Sequence, residues 1–175
     1  MQTQIRDSVG RQLYDGISAV SNLQKYTGES ELRGVSSMGK TVDMHRFSPA
    51  EAHRHLTIYV NTPQSVQTAS VSVGKMLAAA ILKTEPQRRS KRLGQILGDV
   101  FLALPDNTTV RDIDVLFNPA YEVDVLRLLE TLYREKPYSV IWPGELSDGK
   151  LTYSEYGYAD YKEYAISDYD ILCVC

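Results

Sequence analysis

The 175-residue chain is poor in metal-binding and disulfide-forming side chains, with two cysteines and three histidines. Cys173 and Cys175 stand one residue apart in an apolar segment, where strand neighbours point to opposite faces and do not readily form a disulfide. The histidines, His45, His53 and His55, lie far from them in sequence, so no thiolate and imidazole metal site is indicated. We interpret both cysteines as small apolar strand residues.

The chain also lacks long hydrophobic runs and an excess of positive charge. No apolar stretch approaches the roughly 20 residues that span a bilayer, and the polar N-terminus is unlike a signal peptide, so we expect a cytoplasmic protein without membrane contact. The net charge of -3 gives no overall attraction to nucleic acid. With 43% hydrophobic and 23% charged residues, the composition predicts one globular domain over 1–175.

The most informative motif present is G-x-x-x-x-G-K-[ST], the phosphate-loop pattern, formed by Gly34, Gly39, Lys40 and Thr41. In such a loop backbone N–H groups bind phosphates, a lysine reaches the β- and γ-phosphates, and a hydroxyl holds Mg²⁺. These four residues therefore predict a site for ATP and Mg²⁺. The alternative is a polar loop that spells the motif by chance, because segment 27–33 before it lacks the apolar run of a buried strand.

Hydrophobic spacing and turn signals predict alternating helices and strands along the chain. The predicted helices cover 4–26, 66–83, 88–104 and 122–135, and the strands cover 56–61, 110–117, 138–142 and 170–175, with a hairpin around 147–153. This alternation indicates an α/β fold, a P-loop-like sandwich with a mainly parallel central sheet and an N-terminal amphipathic helix. The domain is divided into that helix, a core at 27–135 and a C-terminal segment at 136–175.

Two carboxylates in the predicted strand 110–117 form a second candidate feature. Asp112 and Asp114 have the period-2 spacing that places both side chains on one face of a strand. Mg²⁺ prefers oxygen ligands and often takes one or two carboxylates beside bound phosphates, so these residues are candidate metal ligands. The alternative is a solvated strand face opposite the apolar residues.

Two surface features suggest partners. The basic cluster Arg88 to Arg92 opens a predicted helix, where cations oppose the helix dipole, and it is either a solvated loop or a contact for DNA or an acidic protein. The C-terminal segment is rich in tyrosine, which is favourable at protein interfaces. Its tyrosines are Tyr156, Tyr158, Tyr161, Tyr164 and Tyr169.

Several segments of the second half together resemble BrxF, the small P-loop protein of type III BREX bacteriophage-defence systems. The resemblance covers roughly 56–170, and its most specific part runs from Trp-Pro-Gly-Glu at Trp142 to Leu-Thr-Tyr at Tyr153. Other matching stretches are Val-Leu-Phe-Asn-Pro at 115–119, the leucine-rich helix 125–132, and Tyr-Lys-Glu-Tyr at 161–164.

The resemblance implies a nucleotide-binding component of a phage-defence complex, with ATP on the loop from Gly34 to Thr41 and weak or partner-dependent hydrolysis. It implies other BREX subunits as partners, through the tyrosine-rich segment, and permits a homo-oligomer. This chain departs from the family pattern at the strand before the loop and at an Asp-Asn pair, which leaves the Mg²⁺ carboxylate open among Asp106, Asp112 and Asp114. A second hypothesis is therefore a catalytically inactive adaptor whose phosphate loop has decayed.

Overall fold

The computed structural model describes residues 39–48 and 54–175. The chain divides into two compact units, Met1–Val35 and Ser36–Cys175, and every described residue belongs to the second. The predicted amphipathic helix at 4–26 and the first glycine of the motif, Gly34, lie outside the described residues.

The described residues form nine strands, four α-helices and four short 3₁₀ helices. The strands are β1 (Lys40–Val42), β2 (Leu56–Tyr59), β3 (Val71–Ser72), β4 (Thr109–Arg111), β5 (Ser139–Ile141), β6 (Glu145–Ser147), β7 (Lys150–Tyr153), β8 (Lys162–Ala165) and β9 (Ile171–Val174). The helices are α1 (Gln64–Ala69), α2 (Gly74–Leu82), α3 (Pro86–Leu102) and α4 (Val125–Tyr133). Short 3₁₀ helices lie at Met44–Arg46, Asp114–Phe117, Pro119–Tyr121 and Ile166–Asp168.

Six strands form a parallel central sheet in the order β1-β9-β2-β5-β4-β3. The prediction of an α/β fold with a mainly parallel sheet is therefore confirmed. The remaining strands form a separate antiparallel sheet in the order β6-β7-β8. The predicted hairpin is confirmed within it, since Asp148 and Gly149 join β6 to β7 with φ of 49° and 74°, which suits a two-residue type I′ turn.

The core lies between the central sheet and helices whose apolar residues recur with helical spacing. In α3 the buried residues Leu93, Ile96, Leu97 and Phe101 line one face, as the sequence periodicity predicts. Helix α4 buries Val125, Leu126, Leu129 and Leu132 in the same manner. The sheet supplies Leu56 and Ile58 of β2 and Val140 of β5, which are fully buried.

The C-terminal strand β9 is inserted between β1 and β2, and all four of its residues are buried. Cys173 lies in this strand, and burial raises the pKa of its thiol to about 12. Cys175 follows the strand and is exposed. The interpretation as an apolar strand residue is therefore confirmed for Cys173 and was wrong for Cys175, because β9 ends at Val174.

The predicted continuous helix at 66–83 was wrong, because the structure contains α1, β3 and α2 in that segment. Hydroxyl groups explain the interruption, since Thr68 Oγ1 donates to the carbonyl of Gln64 at 2.8 Å and Ser70 Oγ to that of Gln67 at 2.6 Å. Such bonds compete with the continuing helix ladder. The chain then becomes extended at Val71, which pairs with β4.

The predicted strand at 110–117 was also wrong beyond Arg111, where β4 ends. Asp112 has a φ of 63°, a left-handed conformation that aspartate adopts more readily than most residues. The chain then turns into the 3₁₀ helix Asp114–Phe117. Asp112 and Asp114 therefore do not share a strand face.

Within the part of the chain that the structure describes, every helix is too short or too polar to cross a membrane.

Candidate functional site

A cleft opens at the edge of the central sheet where β2, β4 and β5 end. Because all six strands are parallel, their carboxyl ends share this edge. After β2 the chain continues to β3 at one edge of the sheet, whereas after β5 it returns to β9 on the other side of β2. The connections that follow these two neighbouring strands therefore run in opposite directions along the sheet. Ligands of open α/β sheets bind at such a reversal, and we call this cavity the switch-point cleft.

The switch-point cleft has a volume of about 460 Å³, which is within the usual range for small-molecule sites. Helix α1, the end of β4 and the end of β5 provide its walls. The lining residues are Gln64, Gln67, Thr68, Arg111, Asp112, Asp114, Ile141 and Pro143. Of these described residues, Arg111 alone carries a positive charge.

Asp112 is fixed in its left-handed conformation by two contacts. Arg111 Nη1 donates to Asp112 Oδ2 at 2.6 Å, and both side chains are about half exposed. Gly74 packs against the same residue, because a Cβ at Gly74 would lie 2.8 Å from the Asp112 carbonyl oxygen. Residues held in sparsely populated conformations are frequent at binding sites, and this one faces the cleft.

Asp114 is held on the neighbouring wall by Tyr153. Burial raises the pKa of the Tyr153 hydroxyl, and the charges of Asp114 and Asp160 and the hydrogen bond to Asp114 raise it further. The Tyr153 ring is in turn stacked on Phe117 with centroids 3.8 Å apart. Both predicted carboxylates therefore face one cleft, but each already has a partner side chain.

The third carboxylate considered for Mg²⁺, Asp106, lies elsewhere. It precedes β4 at the amino edge of the sheet, where Lys136 Nζ lies 3.3 Å from its Oδ1. Among the residues that the structure describes, no group of three or more histidine, cysteine, aspartate or glutamate side chains is placed to hold a metal ion. Asp112 and Asp114 are consequently the described carboxylates that a cation in the cleft would meet.

The end of the phosphate-loop motif has a different environment from the one predicted. Lys40 and Thr41 are exposed residues of β1 and pair with Leu172 and Cys173 of β9. A phosphate loop needs these residues at the start of a helix, where free N–H groups converge on the ligand. The backbone of β1 instead takes part in a sheet ladder at the sheet edge.

Gly39 has a packing role in this arrangement. Its N–H donates to the carbonyl of Ile166 at 3.1 Å, and a Cβ on Gly39 would lie 2.1 Å from that same oxygen. Only glycine permits this approach of two backbones. Gly39 is thus needed because its backbone packs closely against the 3₁₀ helix Ile166–Asp168.

The structure does not bring Thr41 together with Asp112 and Asp114. Strand β1 is separated from β4 by β9, β2 and β5. Four spacings of about 4.8 Å put the two strands about 19 Å apart. The predicted Mg²⁺ site, which combined the Thr41 hydroxyl with these carboxylates, therefore requires correction.

The loop that follows β2 occupies the position from which a phosphate loop faces a switch-point cleft. Its sequence at 60–64 is Val-Asn-Thr-Pro-Gln, which contains neither glycine nor lysine. Asn61 has a φ of 53°, and Pro63 precedes the six-residue helix α1. The loop therefore lacks the glycine that lets a phosphate approach the backbone. It also lacks the lysine that neutralises the phosphate charge.

No family model matches the chain. The comparisons with curated proteins and with solved structures found no match either.

The tyrosines of the C-terminal segment divide into two groups. Tyr164 and Tyr169 are buried, and their rings pack edge to face with centroids 6.0 Å apart. Tyr156 is 89% exposed and Tyr158 is 64% exposed, which is unusual for large aromatic side chains. Tyr161 is half-buried beside Tyr156, with centroids 5.5 Å apart. We call Tyr156, Tyr158 and Tyr161 the tyrosine surface.

The basic cluster lies within the first two turns of helix α3, which begins at Pro86, so the interpretation as a loop was wrong. Arg88 pairs with Glu85 at 3.3 Å, and Arg89 Nε donates to the carbonyl of Thr84 at 3.0 Å. Ser90 Oγ donates to the carbonyl of Tyr121 at 2.6 Å, which fixes this end of α3 to the segment before α4. These contacts give part of the cluster a structural role.

Sequence patterns did not identify most of the cleft. Hydrophobic spacing predicts a loop at Gln64 and a long helix that includes Gln67 and Thr68. It places Arg111 within a predicted strand. The available signal was the Asn-Thr-Pro sequence directly after an apolar strand, because loops at that position surround ligand sites in α/β folds.

We predict that Gly39→Ala destabilises the protein by about 1–3 kcal/mol in the absence of any ligand, since the new methyl group would overlap the Ile166 carbonyl. Urea unfolding measures the loss. Gly94→Ala is the matched control. Gly94 lies in helix α3, where alanine is favoured over glycine by up to about 1 kcal/mol. Its new Cβ would meet only the flexible end of one side chain, Leu128 Cδ1, at 3.3 Å. A Gly39→Ala variant as stable as the parent would contradict the packing role.

Proposed function

We propose that this protein is a catalytically inactive adaptor in a bacterial phage-defence complex of the BREX type. The observation that carries the proposal is the position of Lys40 and Thr41 in an edge strand, four strand spacings or about 19 Å from β4, after which Asp112 and Asp114 follow. The loop after β2, which reaches the wall of the cleft at Gln64, has no lysine. The resemblance to BrxF supplies the biological setting, and the fold supplies a framework that presents surfaces to other subunits.

The tyrosine surface supports this role. Tyr156 and Tyr158 expose apolar rings that would gain free energy by burial against a partner, roughly 25 cal/mol for each Å² covered. Tyrosine also loses little conformational entropy when it is fixed, and its hydroxyl hydrogen-bonds at an interface edge. The three-stranded sheet below these residues provides a fixed support.

A second candidate function is nucleotide binding in the switch-point cleft, with hydrolysis dependent on a partner. The specific observation in its favour is that Arg111, Asp112 and Asp114 line one cavity with Thr68. In this case Arg111 would contact phosphate, and the two carboxylates would hold Mg²⁺. The partner would have to supply the charge that a phosphate-loop lysine normally provides.

Calorimetry with Mg-ATP separates these proposals from the phosphate loop predicted at Gly34 to Thr41. For the adaptor we expect no binding heat with the parent, Lys40→Ala, or Asp112→Asn/Asp114→Asn. For the second candidate we expect the parent and Lys40→Ala to bind Mg-ATP with the same affinity. The double aspartate variant should bind it at least about ten-fold more weakly, a change of about 1.4 kcal/mol in binding free energy. Binding that a folded Lys40→Ala variant loses would contradict both proposals and restore the predicted phosphate loop.

The adaptor proposal also predicts the effect of changing the tyrosine surface. A Tyr156→Ser/Tyr158→Ser variant should bind the neighbouring defence subunits at least about ten-fold more weakly. The substitutions remove the two aromatic rings that would be buried at the centre of the interface. Co-purification of the tagged protein from cells that produce those subunits measures this. Leu82→Ser is the control, since Leu82 is 69% exposed on helix α2. Unchanged co-purification of the tyrosine variant, or an equal loss with Leu82→Ser, would refute the proposal.

A further inference from the structure

We infer that a groove beside the tyrosine surface binds an arginine-bearing segment of a partner protein. This inference rests on the proposed adaptor function and names the chemistry of the segment that the adaptor receives. The groove has a volume of about 670 Å³ and adjoins the switch-point cleft, because Pro143 borders both. We call it the acidic groove. Its lining residues are Asn61, Pro143, Gly144, Glu145, Thr152, Ser154, Glu155, Tyr156 and Tyr161.

The charge of the acidic groove selects a cationic occupant. Glu145 and Glu155 line it, both are exposed, and no described lining residue carries a positive charge. The surrounding segment at 143–165 contains five carboxylates and two lysines, which gives it a net charge of -3. A nucleic-acid backbone or an anionic lipid surface would be repelled here, whereas a basic peptide would be attracted.

One of the two lysines of this segment, Lys150, is paired with a carboxylate that does not line the acidic groove. Lys150 Nζ is bound to Glu163 Oε1 at 2.7 Å on the neighbouring strand. Glu163 also accepts a hydrogen bond from the Tyr161 hydroxyl at 3.1 Å. This network holds Tyr161 in position and lowers the pKa of Glu163, mainly through the bond from Lys150. It leaves Glu145 and Glu155 as the carboxylates that an incoming cation meets.

The aromatic rings favour a guanidinium group over other cations. Tyr156 and Tyr161 are packed edge to face at an interplanar angle of 80°, so their rings form a corner beside the groove. A planar guanidinium can stack on one ring and donate hydrogen bonds to a carboxylate at the same time. Lysine offers only a point charge in such a site.

The floor of the acidic groove is preorganised. Trp142 Nε1 donates to the carbonyl of Thr152 at 2.7 Å, and a Cβ on Gly144 would lie 1.8 Å from that carbonyl oxygen. The antiparallel pairing of β6 with β7 fixes Glu145 opposite Thr152. Little ordering of the protein is therefore needed when a ligand enters, which favours binding by a short segment.

The test is a titration of the ¹⁵N-labelled protein with the peptide acetyl-Arg-Gly-Arg-Gly-Arg-amide, followed by amide chemical shifts. The control peptide has citrulline at all three arginine positions, which keeps the shape and removes the charge. We expect the arginine peptide to shift the amides of Glu145, Glu155 and Tyr156, and to bind at least about ten-fold more tightly than the citrulline peptide.

Protein variants sharpen this test. Glu145→Gln/Glu155→Gln should weaken binding of the arginine peptide at least about ten-fold. Glu122→Gln/Glu135→Gln removes the same charge from exposed positions outside the groove and should leave binding unchanged. Equal binding of both peptides, equal effects of both double variants, or shifts confined to another surface would overturn the inference.

The two proposals fail separately. If the tyrosine variant releases the defence subunits while the arginine peptide leaves the groove amides unshifted, the adaptor function stands and the inference is overturned. If the peptide binds in the groove while the tyrosine variant retains every subunit, the groove chemistry stands and the adaptor function is refuted.

Discussion

The parallel pairing of β9 with both β1 and β2 is the constraint on which the rest of the structure depends. All four residues of β9 are at most 3% exposed, and burial of each large apolar side chain contributes about 1.5–3 kcal/mol. The Val60 N–H donates to the carbonyl of Val174 at 2.8 Å, which extends the pairing beyond β2. By filling the position beside β2, the C-terminal strand places β1 at the edge of the sheet.

This arrangement separates two features that a nucleotide site needs together. The lysine and threonine of the motif are in the edge strand, whereas the carboxylates and the reversal of strand order are at β2, β4 and β5. The loop after β2 faces the cleft without glycine or lysine. Beside it, the small antiparallel sheet and the connection between β7 and β8 carry the exposed tyrosines and the two carboxylates of the acidic groove. This separation is the reason for which we propose a protein partner, rather than a triphosphate, as the ligand.

Much of the fold could be predicted. The spacing of apolar residues indicates which helix face is buried, as in α3 and α4. The Asp-Gly sequence indicates a tight turn, as in the hairpin of β6 and β7. Local competition was harder to predict, since hydroxyl bonds at Thr68 and Ser70 end α1 and a left-handed Asp112 ends β4. The site was least predictable. A motif specifies residue spacing, but whether Lys40 begins a helix or lies in a strand depends on pairing with β9, about 130 residues away.

The most direct test of this account is the conformation of Lys40, Thr41 and Val42 in solution, measured by nuclear Overhauser contacts in the full chain. The account predicts interstrand contacts between this segment and Leu172 to Val174, in the register that pairs Thr41 with Cys173. Helical contacts between residues three apart, starting at Lys40, together with shifts of its amide on addition of Mg-ATP, would contradict the account.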